Sequence, residues 1–236
     1  MLDRLNLPTR FTWATIALFG VAALATGCVS EESVAEPAVG TKHYAAPADG
    51  PFHTPFQPVK DGYAAVSDRY RARVTEDAIL YMYEPAKSGH VGNRGALAFE
   101  TRSVVRGART IGLSAPEKVG MRDSLRFSRG SLVELFKSGP KGVEQSWLFD
   151  HEIDGDGDLV ITVAIGGAEQ VESDSEGLHF KAADGSWGVL YEHPVWVDAN
   201  GRRTNLNARY ERGAIVLRVP DAVLSSSAYP AKLDGS

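Results

Sequence analysis

The stretch WGVLYEHPVWVDANGRRTNLNARYERGAIVLRV, residues 187–219, decides the fold. Over 187–197 its apolar residues recur at every second position. The Asn200-Gly201 pair that follows is typical of a tight hairpin turn, because both residue types tolerate positive φ. Two further alternating runs follow, separated by a second turn signal at 211–213. The stretch therefore predicts an antiparallel meander with one apolar and one polar face.

Shorter strand patterns occupy the chain upstream of this stretch. Residues 159–165 are apolar on both faces, which predicts a buried strand, and residues 146–152 are its predicted hairpin partner across 154–158. Further strands are predicted at 70–74, 79–83, 97–105, 131–136 and 177–182, and at most two helical turns at 222–227. Many short strands with turn signals between them predict an all-β fold, an antiparallel β-sandwich-like domain.

Composition excludes several classes of protein. The chain has 236 residues, of which 43% are hydrophobic and 23% charged, so neither a fully disordered chain nor a polytopic membrane protein fits. The net charge of −5 argues against a nucleic-acid partner, which requires concentrated positive charge. A single cysteine excludes an intramolecular disulfide and any zinc site built on several thiolates.

The first 28 residues resemble the signal of a bacterial lipoprotein. Arg4 and Arg10 give a positive n-region before an apolar run that ends at Cys28 and is shorter than the roughly 20 residues of a membrane span. The resemblance implies that residues 1–27 are a signal peptide and that Cys28 carries diacylglycerol and an N-acyl chain such as palmitate. Two or three acyl chains make a stable membrane anchor, whereas one holds a protein only marginally. A transmembrane anchor and ordinary secretory cleavage are the alternatives.

Residues 28–62 predict a flexible tether between this anchor and the β domain at 63–236. The segment contains five prolines and several early acids, and Pro-rich chain of this kind stays extended without pairing as strands. Val29, directly after the cysteine, is similar to the sorting residue of outer-membrane lipoproteins in Gram-negative bacteria. The sequence therefore predicts a protein of the cell envelope, an outer-membrane lipoprotein that faces the periplasm or the surface.

An acidic run at 150–158 is the candidate for a metal site. Carboxylates at alternate positions around glycines can supply the oxygen ligands that Ca²⁺ prefers. The candidate ligands are Asp150, Glu152, Asp154, Asp156 and Asp158. The run does not fit an EF-hand loop, since the position of the bidentate glutamate is occupied by Ile161. A polar loop without a cation is the alternative, so no cofactor is predicted apart from a calcium ion here.

Other residues with chemical potential are an aromatic ring and three histidines. Trp196 shares the wetter face of its strand with Glu192, which makes it the candidate for stacking on a sugar. His151, His179 and His193 lie in separate segments and would form a zinc or hydrolase site only if the fold brought them together. The sequence contains no Gly-x-Ser-x-Gly elbow, phosphate loop or dinucleotide fingerprint. We therefore predict no enzyme activity and assign no catalytic residue.

Five segments carry a wider resemblance, and they are 142–147, 177–180, 195–204, 208–210 and 227–234. Together they are similar to the amino-terminal β domain of large bacterial, especially myxobacterial, surface lipoproteins. In those proteins the domain precedes FG-GAP or other propeller-like repeats, and a Tyr-Pro-x-x-Leu-Asp segment, here 229–234, leads into them. This sequence stops at Ser236, so the resemblance implies either the head module existing alone, without its repeats, or a truncated relative. It includes no catalytic signature.

These observations predict an envelope-anchored, surface-facing lipoprotein with a non-catalytic interaction or structural module. Its predicted partners are the membrane, through Cys28, and envelope proteins or polysaccharide. A glycan- or calcium-binding module and an envelope hydrolase with an unrecognised site remain as alternatives.

Overall fold

A computed structural model describes residues 52–84, 96–121, 124–183, 185 and 187–235. The predicted signal peptide, the lipidation site Cys28 and most of the predicted tether lie outside the described residues. Within them the chain forms antiparallel strands and one five-residue helix, which confirms the all-β prediction. No helix of the described chain has the length and apolar composition needed to cross a membrane.

The strands and the helix follow one another along the described chain as β1 (Gln57–Val59), β2 (Gly62–Val66), β3 (Arg71–Val74), β4 (Leu80–Tyr83), β5 (Leu97–Arg106), β6 (Arg109–Ile111), β7 (Leu113–Met121), β8 (Leu125–Gly130), β9 (Val133–Ser138), β10 (Val143–Phe149), β11 (Leu159–Gly166), β12 (Ala168–Ser173), β13 (Gly177–Ala182), β14 (Gly188–Glu192), β15 (Val195–Val197), β16 (Arg203–Asn205), β17 (Ala208–Glu211), β18 (Ala214–Val219), α1 (Asp221–Ser225) and β19 (Ala231–Gly235). They form three sheets. The largest has the order β1-β2-β3-β4-β5-β11-β18-β17, with β6 also paired to β5. The second has the order β16-β15-β19-β10-β9-β8-β7, and the third β12-β13-β14.

The two larger sheets pack on each other across one hydrophobic core. Trp147 of β10 donates its indole N–H to the Thr101 hydroxyl of β5 at 3.1 Å, and the ring of Tyr63 in β2 meets that of Phe127 in β8 edge-on. The third sheet packs through Phe180 and Tyr191, whose rings lie 6.0 and 6.1 Å from that of Phe99. Burying each such ring contributes roughly 1.5–3 kcal/mol.

Both turns predicted in the 187–219 stretch are confirmed. β15 and β16 pair with Val195 opposite Asn205, across a turn in which Gly201 has φ +77°. The Asp198 carboxylate fixes this turn by accepting hydrogen bonds from the backbone N–H groups of Asn200 and Arg202. β17 and β18 are joined at 211–213 and pair along their length. The hairpin of β3 and β4 and strands β5 and β13 also lie where the sequence predicts them.

The single meander predicted for 187–219 is wrong, because its strands belong to three sheets. β14 pairs only with β13, β15 and β16 lie in the seven-stranded sheet, and β17 and β18 lie in the nine-stranded sheet. The chain changes sheet at Pro194, which cannot donate to a ladder, and again at 206–207. Alternating hydrophobicity reports that a strand has one buried face and carries no information about which sheet covers it.

The buried face also changes at 193–194. Tyr191 is buried before this point, and Trp196 and Asp198 are buried after it, while Val195 and Val197 are only half-buried. The inward orientation predicted for the two valines is therefore wrong. A shift of one residue in the chain transfers every following side chain to the opposite face.

The hairpin predicted between 146–152 and 159–165 is also wrong. β10 pairs with β9 and β19, whereas β11 pairs with β5 and β18 in the facing sheet. The acidic loop at 150–158 thus crosses from one sheet of the sandwich to the other. A crossing loop and a hairpin loop have the same polar, glycine-rich composition, so the sequence alone did not separate them.

The β domain begins earlier than residue 63, inside the predicted tether. β1 pairs with β2, and Phe56 just before it is buried. Pro58 is accommodated because β1 is an edge strand, where a missing N–H leaves no ladder bond unmade. At the other end of the described chain, the Tyr-Pro-x-x-Leu-Asp segment contributes β19, which lies inside the seven-stranded sheet between β15 and β10.

Two glycines with similar backbone strain provide a test of the crossing loop. A Cβ on Gly107, in the turn between β5 and β6 with φ +56°, would lie 2.0 Å from the carbonyl oxygen of Asp156. A Cβ on Gly213, with φ +83°, would meet no atom within 4 Å. Because both alanine variants carry the left-handed strain, we expect Gly107→Ala to lower the free energy of unfolding by about 1–3 kcal/mol more than Gly213→Ala. Equal losses in urea denaturation would contradict this packing.

Candidate functional site

A cleft of about 670 Å³ opens in the described part of the domain. It lies between three pieces of the fold: the β9–β10 hairpin at 137–145, strand β14 with the residue before it, and the side formed by β4, β5 and the turn at 69–70. The seven-stranded sheet, the three-stranded sheet and the nine-stranded sheet each contribute one wall. The site thus exists only in the folded domain.

The floor of the cleft is apolar and its walls carry aromatic rings. Leu80, Met82 and Phe99 are buried residues that line it from β4 and β5. Tyr70 contributes a buried ring whose hydroxyl donates to the carbonyl oxygen of Gly139 at 2.7 Å, which ties the β2–β3 turn to the β9–β10 hairpin. Burial raises the pKa of Tyr70 to about 12, so this hydroxyl stays protonated and able to donate.

Trp187 directly precedes β14, is half-buried and lines the same cleft. It is therefore the tryptophan whose ring can contact a bound ligand. Trp187 was predicted from the sequence only as part of an apolar strand face.

Positive charge surrounds the opening of the cleft. Arg69, Lys137 and Lys141 line it, are exposed, and form no ion pair with any described residue. Of the two acidic residues in the lining, Glu144 is paired with Lys232 at 3.1 Å, and Glu192 is exposed. The electrostatic balance at this opening therefore favours an anionic ligand, although the whole chain is acidic.

Behind the floor lies a buried polar network centred on Glu134. The Glu134 side chain is fully buried and its Oε2 lies 2.6 Å from Nε of Arg129, itself almost fully buried. Its Oε1 accepts hydrogen bonds from the Thr101 hydroxyl and the Gln145 amide, each at 2.7 Å. Burial raises the pKa of the Glu134 carboxyl, against the opposing effects of Arg129 and of these two donors.

Gln145 and Tyr191 connect this network to the cleft. Both are buried and line the cleft, and neither Gln145 Oε1 nor the Tyr191 hydroxyl has a hydrogen-bond partner among the described residues. Burial raises the pKa of the Tyr191 hydroxyl far above its ordinary value, with the Glu134 charge adding to the effect, so this group is neutral. A buried polar atom without a hydrogen-bond partner destabilises the folded protein.

The acids predicted as calcium ligands lie in the crossing loop, where three of them face arginines. Glu152 Oε1 lies 3.4 Å from Arg106, Asp154 lies 3.5 Å from Arg109, and Asp158 lies 3.0 Å from Arg218. The other two acids, Asp150 and Asp156, have no ion-pair partner among the described residues. A cation bound by all five would have to displace these pairs. The calcium site at 150–158 stays a prediction.

Asp158 also closes the loop against the start of α1. Its carboxylate accepts the backbone N–H of Asp221, and this bond, together with Arg218, holds the pKa of Asp158 below its ordinary value. The buried Arg106 guanidinium reaches the Asp221 carboxylate and the carbonyl oxygen of Ile153. These contacts give the acidic residues of the loop a structural role.

Trp196 does not lie on an exposed face, so its predicted role in stacking on a sugar is wrong. The side chain is 1% exposed, and its ring packs against those of Phe149 and Tyr229. Its indole N–H donates to the Ser227 hydroxyl at 2.9 Å. The change of buried face at 193–194 places this residue inside the core.

The structure brings together two of the three histidines. His179 Nε2 lies 2.8 Å from the Asp174 carboxylate, and His193 Nε2 lies 3.2 Å from the Asp174 carbonyl oxygen. His151 lies elsewhere, in the crossing loop, where it lines a second cleft of about 370 Å³. Neither His179 nor His193 lines either of these two clefts.

The same region contains the one group of three metal-ligating side chains found in the described part of the chain. Ligand atoms of Asp174, Glu176 and His179 lie within 4.8 Å of one another. Asp174 already accepts the backbone N–H groups of Glu176 and Gly177, and these bonds, the first above all, lower its pKa. These hydrogen bonds stabilise the turn between β12 and β13.

Sequence reasoning missed the cleft and the buried pair behind it. A signal for the pair was present, because Leu132, Glu134 and Phe136 alternate with the same period, as do Phe127 and Arg129 in the preceding strand. This spacing places each charged residue on the apolar face of its strand. The cleft itself left no such signal, since its walls come from segments far apart in sequence. Comparison with known proteins finds no match to this chain among protein-family models, curated proteins or solved structures.

Proposed function

We propose that this protein is a lipoprotein of the cell envelope whose β domain is a non-catalytic binding module, with the cleft as its binding site. The observation that carries the proposal is the cleft itself, with its apolar floor, its accessible Trp187 and its cationic opening. Ligand sites in proteins are typically concave and apolar with a few polar groups that set orientation, and this lining has that character.

The composition of the lining supports binding over chemistry. The titratable groups around the described cleft are three cations, the paired Glu144, the exposed Glu192 and two tyrosines whose pKa values are raised. General acid–base catalysis at neutral pH uses groups that titrate near that pH. The two tyrosine hydroxyls, whose pKa values burial raises, stay neutral and are suited to recognition.

The anchor supports a partner within the envelope. The proposal takes Cys28 as the lipidated residue, which leaves 23 residues of chain between it and Phe52. Fully extended, a tether of that length reaches at most about 80 Å. The chain enters the domain beside the cleft, since the carbonyl oxygen of Thr54 accepts a hydrogen bond from Ser138, a residue of the cleft lining. Ligands would therefore be envelope proteins or polysaccharide held within that distance of the membrane.

Site-specific photocrosslinking tests the binding site. A benzophenone amino acid placed at Trp187 in the full chain is expected to capture a discrete adduct in intact cells, because that side chain lines the cleft. The matched control is the same replacement at Tyr210, a residue that is 41% exposed on β17 and outside the cleft lining. Identical adducts at both positions, or none at 187, would contradict the proposal.

Replacement of the cysteine tests the anchor separately. We expect the wild-type chain to sediment with membranes and to yield an acylated amino-terminal fragment in mass spectrometry, because acyl chains on Cys28 provide the anchor. The Cys28→Ser variant is expected to lose both properties. An unmodified, uncleaved amino terminus in the wild-type protein would overturn the lipoprotein part of the proposal and leave the cleft untouched.

A further inference from the structure

Strand β14 presents a row of unpaired backbone groups. It pairs with β13 alone, and the ladder continues to the bond from His193 N–H to the carbonyl oxygen of Glu176 at 3.1 Å. Because hydrogen-bonded pairs alternate along an antiparallel ladder, the N–H and C=O groups of Gly188, Leu190 and Glu192 point away from β13. They have no hydrogen-bond partner among the described residues.

This free edge faces the cleft. All five residues of β14 line the cleft, whereas no residue of β13 does. The outer side of β14 is therefore the side that a molecule in the cleft would meet.

The other edge strands carry features that discourage pairing with a further strand. β1, β6 and β16 are three residues long, and β1 contains Pro58. β7 contains Pro116 and two shifts of register, and β12 has one shift as well. β17 alternates with the charged residues Arg209 and Glu211. Natural edge strands are protected by shortness, proline, bulges and charge, and β14, with the sequence GVLYE and a regular ladder, has the least of these.

The remaining walls of the cleft define what kind of strand would fit. Successive side chains of an extended peptide point to opposite sides. One set would meet the apolar floor of Leu80, Met82 and Phe99, and the other would meet the cations at the opening. We infer that the cleft receives an extended peptide segment of a partner protein, with alternating apolar and acidic residues, which adds to β14 as a fourth antiparallel or parallel strand. This inference rests on the proposed function and names the class of its ligand.

Charge and backbone together favour a peptide over an acidic polysaccharide. Arg69, Lys137 and Lys141 attract either polymer. The row of alternating donors and acceptors on β14, however, has the spacing of a peptide backbone, and strand addition to a free sheet edge is an established way of binding extended peptides. The polysaccharide is thus an outcome of the test.

The test uses the purified full chain in detergent and a short fluorescein-labelled peptide that alternates valine and glutamate. We expect saturable binding by fluorescence anisotropy. The same peptide N-methylated at every residue, so that both of its edges lose their N–H groups, is expected to bind about tenfold more weakly or worse, the factor that two lost hydrogen bonds carry. A valine–lysine peptide is expected to bind more weakly than the valine–glutamate peptide by a similar factor, because its lysines would face three cations.

Variants of the protein locate the binding. Lys137→Glu should weaken binding of the acidic peptide, whereas Lys60→Glu, in the exposed turn between β1 and β2 and outside the cleft, should not. Leu190→Pro removes one N–H from the free edge, a position where proline is tolerated in edge strands, and should also weaken binding. If Leu190→Pro fails to fold, the N-methylated peptide still decides the question.

Equal affinity for the methylated and unmethylated peptides would overturn strand addition. So would polygalacturonate binding that the acidic peptide cannot displace. An adduct captured at Trp187 in cells, together with no binding of the valine–glutamate peptide, would retain the proposed function and reject this inference. No adduct and no peptide binding would reject both.

Discussion

Replacing Arg129 with methionine is expected to lower the free energy of unfolding by about 3–5 kcal/mol, the usual cost of removing one partner from a buried ion pair. Glu134 has no exposed surface, and its Oε2 lies 2.6 Å from Nε of Arg129. Without the guanidinium its charge stays in the core with only neutral donors, the Thr101 hydroxyl and the Gln145 amide. Neutral hydrogen bonds do not offset the loss of solvation of a full charge.

The free energy of unfolding lost in Arg129→Met should depend on pH in a defined direction. Burial raises the pKa of the Glu134 carboxyl in the folded protein. A group whose pKa is higher in the folded state contributes most to stability below its ordinary pKa, and this contribution is lost as pH rises through the raised value. Removing Arg129 takes away the largest opposing effect and raises the pKa further. The deficit of Arg129→Met relative to wild type should therefore shrink from neutral to mildly acidic pH.

Urea denaturation at the two pH values measures this, with two controls. Arg102→Met breaks an exposed pair with Glu100 and is expected to cost less than about 1 kcal/mol. The double variant Arg129→Met/Glu134→Leu removes both charges and should recover much of the lost stability, as replacement of buried pairs by apolar residues often does. A loss no larger than that of Arg102→Met, or one that does not change with pH, would show that the pair is hydrated.

The second large effect is expected at Trp147. Its side chain is fully buried at the interface of the two larger sheets and donates to Thr101, which in turn donates to Glu134. Truncation to alanine removes the ring and leaves a cavity between the two sheets. We expect Trp147→Ala to lower the free energy of unfolding by about 3–5 kcal/mol.

Two matched substitutions separate packing from hydrogen bonding. Trp147→Phe retains most of the buried apolar volume and loses only the indole N–H, so its cost should be clearly smaller than that of alanine. Trp187→Ala removes the same atoms from a half-buried position in the cleft, where water can replace them, and should also cost less. Chemical denaturation of the three variants decides this. If Trp187→Ala destabilised the domain as much as Trp147→Ala, the assignment of Trp187 to an open cleft would be contradicted.

Local signals were sufficient to predict most strands and turns. The Asn200-Gly201 turn, the turn ending at Gly213 and strand β13 lie where composition and alternation place them, because those features depend on neighbouring residues. Seven strands were not predicted, and they are β1, β2, β6, β7, β8, β12 and β19. Of these, β7 and β12 have register shifts, and a bulge interrupts the alternation on which the prediction depends.

The sequence did not predict which sheet each strand joins. Strands β14 to β18 follow one another closely in the chain, yet the first lies in one sheet, the next two in a second and the last two in a third. The free energy of burying an apolar face is the same whichever sheet covers it, so alternation cannot distinguish a meander from a crossover. The cleft depends on these crossovers, which is why its residues could not be grouped in advance.

For the candidate site residues too, the sequence predicted what depends on neighbouring residues and missed what depends on distant ones. Acidity at 150–158 was visible in the sequence, while its arginine partners on β5, β6 and β18 were not, because they are distant in the chain. Trp196 was misplaced by a one-residue change of face at Pro194. Charged residues on apolar faces, Glu134 and Arg129, were detectable from spacing alone and mark the interior behind the cleft.

Strand β19 has a consequence for how this domain is made. It lies between β10 and β15, and it follows both of them in the order of synthesis. While the ribosome has yet to deliver residues 231–235, β7 to β10 and β15 to β16 are two separate fragments, each with a bare edge. A bare sheet edge can pair with another chain, so the nascent polypeptide is open to self-association until β19 has been made.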